Sequence, residues 1–169
     1  MTFNRTIERM RNVTLSTWLV ATVMLCSPSL FAGDTNAIPQ RFHTRIGGFM
    51  GNTYEVQLQD GCLQYETFGR GNKSDNARVC PTMEQWKEFR RELDAIGVWR
   101  WRSQYSTPGV ADGTQWSLDV AYPDRTVRTQ GNNNYPGAMR DPVGVPSGSK
   151  AFTRYLKAVQ RLLGGKAFE

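Results

Sequence analysis

One histidine, His43, and three cysteines are all that the 169 residues offer of the side chains that most often bind transition metals or activate nucleophiles. A zinc centre needs three or four such ligands, so none is expected. A Ser–His–Asp set would have to be built on that one imidazole. There is no Walker loop, no Rossmann glycine pattern and no CxxC pair, and hence no cofactor is expected. No apolar run reaches the roughly 20 residues that a bilayer-crossing helix needs. Charge of one sign is also scarce. The excess of Lys and Arg over Asp and Glu is six, and it is scattered instead of clustered along one face or arm, which speaks against nucleic acid as a partner.

What the N-terminus does have is the pattern of a secretory signal. Arg5, Arg9 and Arg11 precede an apolar stretch over residues 13–25, and Ser27, Pro28, Ser29 and Ala32 follow it. The stretch is long enough for export and too short to span, so cleavage is expected after Ala32, with residues 1–32 removed and no membrane insertion afterwards. Met10 is an alternative start. Leu25, Met24 and Val23 before Cys26 argue against lipid attachment there, which needs a small preceding residue. The remaining chain loses three arginines and one glutamate, and its net charge falls from +6 to +4. It belongs to the periplasm or the exterior, where the two remaining cysteines, Cys62 and Cys80, are expected to pair.

Residues 33–50 read as a flexible N-terminal segment ending in at most a short strand from residue 45, and residues 51–165 as one α+β domain. Asp60-Gly61 between alternating runs at 53–58 and 63–68 predicts a two-residue hairpin, because Gly accepts the positive φ of a type I′ turn. With those two as the loop, Leu58, Val56 and Tyr54 face Leu63, Tyr65 and Thr67, while Gln59, Gln57 and Glu55 face Cys62, Gln64 and Glu66. A one-residue slip would mix the apolar and polar sets. A third strand at 76–80, returning around Gly71, sets Cys80 opposite Cys62, within reach of a disulfide.

Thr82 with Gln85 forms a capping box for a helix whose stripe is Met83, Trp86, Phe89, Leu93 and Ile96, stopped at Gly97. Residues 98–102 read as a strand with Trp99 and Trp101 on one face and Arg100 and Arg102 on the other. Strands at 114–122 and 126–130 follow, then a long Asn-, Gly- and Pro-rich loop. Ser149 caps a second helix at 150–163. The order βββαβββα predicts an antiparallel sheet of about six strands with both helices on one face. The other face would carry Glu55, Gln57, Gln64, Glu66, Arg78, Arg100, Arg102, Ser117, Asp119, Arg128 and the disulfide.

Trp99-x-Trp101, Tyr105, the run Asp112-Gly113-Thr114-Gln115-Trp116-Ser117-Leu118 and Gly131-x-Asn133-x-Tyr135-Pro136 resemble a family of small bacterial proteins, often exported. The resemblance extends in layout over residues 53–163 and brings no activity with it.

Two constellations hint at function. Aromatic rings stack on sugars and anchor interfaces; the alternating tryptophans fit a core better, and the loop residues Tyr105 and Tyr135 are the candidates for exposure. Glu55 opposite Glu66 is the one carboxylate pair suited to acid–base work, on a face that does not exclude water. The expectation is therefore an exported, non-enzymatic binding protein whose partner is another protein of the cell envelope. One form is an inhibitor or immunity-type protein that blocks a secreted enzyme. Its surface would include Arg78, Arg100, Arg102, Arg128, Tyr105, Asn133 and Tyr135. The alternatives are a cell-envelope hydrolase using Glu55 and Glu66, or a structural accessory of an envelope assembly.

Overall fold

The computed structural model describes residues 37–48, 51–69, 74–106, 109, 113–137 and 149–169, all within the compact unit Gly33–Glu169. Residues 1–32, expected to be an export signal, and Gly71, Pro108 and Asp112 lie outside the described residues. Ten elements follow one another: β1 (Arg41–Gly48), β2 (Asn52–Gln59), β3 (Cys62–Gly69), β4 (Asp75–Val79), α1 (Met83–Ile96), a 3-10 turn (Val98–Arg100), β5 (Gln104–Ser106), β6 (Thr114–Ala121), β7 (Thr126–Asn132) and α2 (Lys150–Leu162). The strands form one sheet in the order β4-β3-β2-β1-β6-β7-β5. All pairs are antiparallel except β5 with β7.

The hairpin forms in the expected register. Leu58 pairs with Leu63, Val56 with Tyr65 and Gln59 with Cys62. Asp60 and Gly61 both take positive φ, 50° and 75°, as the tight turn requires. On β4, Val79 pairs with Leu63 and Arg78 with Gln64, which brings Cys80 to Cys62, and the two are disulfide-bonded. The bridge spans 18 residues of sequence, so the double Cys→Ser variant is expected to lose about 3 kcal/mol of unfolding free energy, chiefly through the freed unfolded chain. Urea unfolding checks this; a loss under about 1 kcal/mol would show that β4 is held by its ladder alone.

Both helices cover one face. Trp86 and Phe89 of α1 meet Phe42 edge-on, and Phe152 of α2 lies 4.8 Å from the Trp116 ring. Thr82 and Gln85 complete the capping box, and Gly97 closes α1 in the left-handed conformation. At the centre, the Thr44 hydroxyl donates to the Ser117 carbonyl at 2.8 Å. It is therefore left to accept from the fully buried Tyr155 hydroxyl in a short hydrogen bond. That bond ties α2 to the middle of the sheet, and burial pushes the Tyr155 phenol up.

Several expectations need correction. The segment expected to be flexible holds β1, an eight-residue strand at the centre of the sheet, with Phe42, Thr44 and Ile46 buried. Its alternation is obscured because the middle inward position is a threonine. Residues 33–36, 49 and 50 lie outside the described residues. The sheet has seven strands and is mixed. Residues 98–102 are not a strand. Gly97 feeds a 3-10 turn, in which positions three apart share a side, and so Val98 is buried and Trp101 reaches Trp116 and Tyr155. The adjacent strand is the short β5. Met83 leaves the helix stripe and is 42% exposed. The packed domain runs past residue 165, because Phe168 is fully buried.

Trp99 is held elsewhere. Its indole N–H donates to Asp94 at 2.6 Å. The Arg90 guanidinium sits 4.2 Å from the Tyr122 ring and 5.0 Å from Trp99, and bonds both oxygens of Asp124. The hydrogen bond from Arg90 holds the Asp124 carboxyl well below the usual carboxylate range. This clasp joins α1, the 3-10 turn and the β6–β7 corner.

Candidate functional site

Strand alternation sends every second side chain to the face that the helices leave open, and the register arranges those side chains in rows. One row crosses six strands: Arg128, Asp119, His43, Gln57, Gln64, Arg78. The next crosses all seven: Gln104, Gln130, Ser117, Arg45, Glu55, Glu66, Asn76. A third holds Ser106, Asn132, Gln115 and Gly47 on one side and Thr53 with Phe68 on the other.

Charges on this face pair locally. Asp119 accepts from Arg41 at 2.9 Å and from Arg128 at 2.6 Å. Burial disfavours its charged form, yet the two arginine hydrogen bonds outweigh that and hold the carboxyl below its usual range. Glu55 lies 2.7 Å from His43 Nε2. His43 is on β1 and Glu66 on β3, at opposite sides of β2, so Glu55 turns away from the carboxylate it faces in register. The hydrogen-bond partner of Glu55 is therefore His43 and not Glu66. Among the described residues no hydroxyl or thiol hydrogen-bonds the His43 ring, and no group of three His, Cys, Asp or Glu side chains is placed to hold a metal ion.

Asp119 and Asp124 are expected to contribute to the acid sensitivity of the fold. Both carboxyls are depressed in the folded chain. Their contribution to stability is therefore complete above the unfolded carboxylate range near pH 4, and it is lost as pH falls through the lower folded values. Urea midpoints are expected to drop steadily below pH 4, and the drop should be shallower in Asp119→Asn and shallower still with Asp124→Asn added. Parallel curves for wild type and the double variant would show that other groups carry the acid sensitivity.

A hollow of about 530 Å³ lies where the second and third rows cross β1, β6, β7 and β5. Its middle is low because Gly47 and Ser117 are small. A Cβ on Gly47 would stand 2.4 Å from Thr53 Oγ1, so nothing larger fits. Gln104, Gln115, Gln130 and Arg45 rise around it. Arg45 lies over the Phe68 ring, 5.4 Å from its centroid, and among the described residues no carboxylate is within ion-pair distance of it. Phe68 is 40% exposed.

Four residues singled out in the sequence, Trp116, Gly131, Asn133 and Tyr135, meet beneath one end of this hollow. Trp116 lies across Gly131 and donates to the Asn134 carbonyl at 2.8 Å. Tyr135 stacks on Trp116 at an interplanar angle of 15°. Asn133, at φ 46°, accepts from the Thr114 amide. Together they form a wall, built of an indole, a glycine and a turn. No protein-family model matches the chain, and no curated protein shows significant similarity to it.

Of the surface residues expected from sequence, Arg78 and Arg128 stand exposed on the open face. Arg100 and Arg102 are exposed but belong to the segment after α1, not to a strand of this face. Tyr105 is buried, its hydroxyl accepting from the Arg102 amide and its ring lying under the Arg102 guanidinium. Tyr135 is half-buried against Trp116 and Phe152. Asn133 serves a backbone amide. The sequence reading missed His43, Arg41, Arg45, Phe68 and the glutamine rim. The alternation Arg41, His43, Arg45 against Phe42, Thr44, Ile46 was the available signal.

Proposed function

We propose that the protein works after export as a non-enzymatic binding protein, and that its partner, another protein of the cell envelope, covers the open face of the sheet. The observation that carries this reading is the asymmetry of the sheet. Seven strands bury one side under two helices, and the other side, polar and wide, is left open by the described residues, with exposed arginines at both flanks, Arg78 on β4 and Arg128 on β7. Paired strands lie about 4.8 Å apart, so such a face approaches 30 Å in width, enough for a standard protein interface. An inhibitor or immunity-type role fits this shape, since blocking an enzyme requires a rigid surface and no catalytic group.

The test uses the protein as bait in periplasmic extract at low salt. Arg78→Glu with Arg128→Glu is expected to lose the captured protein, and Lys150→Glu, at the start of α2, to retain it. Capture that survives the double reversal would move the interface off this face. The hydrolase reading has less support, because Glu55 turns to His43 and away from Glu66. An envelope-glycan hydrolysis that disappears in both Glu55→Gln and Glu66→Gln would reverse that order.

A further inference from the structure

We infer that the hollow between β1, β6, β7 and β5 is a binding site for an acidic glycan, with Arg45 taking the carboxylate and the glutamine rim taking hydroxyl groups. The inference goes beyond the protein-partner reading and does not depend on it, because the hollow occupies only one end of the open face.

Three observations support the assignment. The first is size. A volume of about 530 Å³ falls within the range of clefts that take a small ligand, and the small residues Gly47 and Ser117 are among those that line it. The second is the chemistry of the rim. Gln104, Gln115 and Gln130 come from three different strands, and each amide presents a donor and an acceptor side by side. A sugar hydroxyl has the same double character. A peptide is a poorer match, since bound peptides draw affinity from a strand edge or from apolar pockets for their side chains. This hollow reaches the edge strand β5 but opens on the face of the sheet, and the neighbouring rings of Trp116 and Tyr105, which could otherwise form apolar pockets, are buried.

The third observation is Arg45. The described arginines of α1 and α2, together with Arg41, Arg125 and Arg128, sit in ion pairs. Arg45, like Arg78 and Arg102, has none among the described residues, and of these three it alone lines the hollow. It is instead held against Phe68, which limits its freedom and keeps an uncompensated guanidinium at the margin of a neutral polar hollow. A guanidinium so placed takes a carboxylate in a two-pronged hydrogen bond.

Titrations followed by amide NMR at low salt test the assignment, with four probes: galacturonate tetrasaccharide, its methyl ester, hyaluronan tetrasaccharide and tetraglutamate. At least one of the two acidic sugars is expected to bind and to shift the side-chain amide signals of Gln104, Gln115 and Gln130. Neutralising the carboxylate should cost about tenfold in Kd, as should Arg45→Gln, while Arg91→Ala, on α1 and away from the hollow, leaves Kd unchanged. Gln130→Leu should weaken the acid and the ester alike. Three results overturn the proposal: no shift of these amides by either acidic sugar at millimolar concentration, tetraglutamate binding as tightly as the sugars, or an unchanged Kd in Arg45→Gln. The outcome is separable from the partner reading, because neither Arg78 nor Arg128, whose reversal tests protein capture, lines the hollow.

Discussion

Gly131→Ala is expected to cost about 4 kcal/mol and to lower the melting temperature by roughly 15 °C. The added methyl would stand 2.2 Å from Trp116 Nε1 and 2.5 Å from the Asn134 carbonyl oxygen. These two atoms are hydrogen-bonded to each other at 2.8 Å, so the methyl would be driven into that bond. It would part a buried donor from its acceptor and displace an indole already packed by Tyr105, Tyr135 and Phe152. Backbone relief is blocked on both sides, because Gly131 is paired with Trp116 on β6 and with Tyr105 on β5. Gly61→Ala is the control. Gly61 has positive φ but open space around it, so the variant should show only the conformational penalty of about 1 kcal/mol. Equal losses in the two variants would show that Trp116 yields easily.

The second large effect is expected at the C-terminal tail. Phe168 is fully buried and packs 6.4 Å from the Tyr54 ring. The Tyr65 hydroxyl donates to the Ala167 carbonyl at 2.9 Å, and the Gln160 amide to the Phe168 carbonyl at 3.1 Å. Phe168→Ala should therefore lose about 4 kcal/mol, the usual cost of emptying a phenylalanine-sized core site. Tyr65→Phe, which removes one partly buried hydrogen bond, should lose only about 1 kcal/mol. Denaturant midpoints for both variants check the contrast. A loss below about 1 kcal/mol for Phe168→Ala would mean that the tail merely covers a core already complete without it.

The parts of the fold that sequence made legible are those where local chemistry and long-range packing agree. Asp60-Gly61 required a tight turn, the flanking alternation admitted one register, and the cysteine spacing supported it independently. The capping residues Thr82 and Ser149 marked the helix starts because their hydroxyls serve local amides. What stayed hidden depended on distant partners. Thr44 looks like a surface residue until Tyr155, 111 positions later, supplies its hydrogen bond. The alternation of Trp99, Arg100, Trp101 and Arg102 imitates a strand, whereas the turn after Gly97 brings Val98 and Trp101 to the same side. Tyr105 reads as an exposed loop ring until parallel pairing with β7 turns it inward. The hollow was illegible for the same reason. Of the five strands that line it, β1 and β5 do not read as regular structure over their true extents, so the arginine and glutamines around it have no common neighbourhood in the sequence.

The position of β1 has a further consequence, for the order in which the chain can assemble. Within the sheet, β4, β3, β2 and β1 are sequential neighbours joined by short reversals, and they meet β6, β7 and β5 only along the β1–β6 ladder. Across that ladder Thr44 reaches Ser117, 73 positions downstream. Closing so long a span is an entropic cost that local hairpins do not share, and pairings of this kind form late. Cys62 and Cys80 both lie in the early half, so an oxidant meeting the emerging polypeptide can set the right bond before the late half docks.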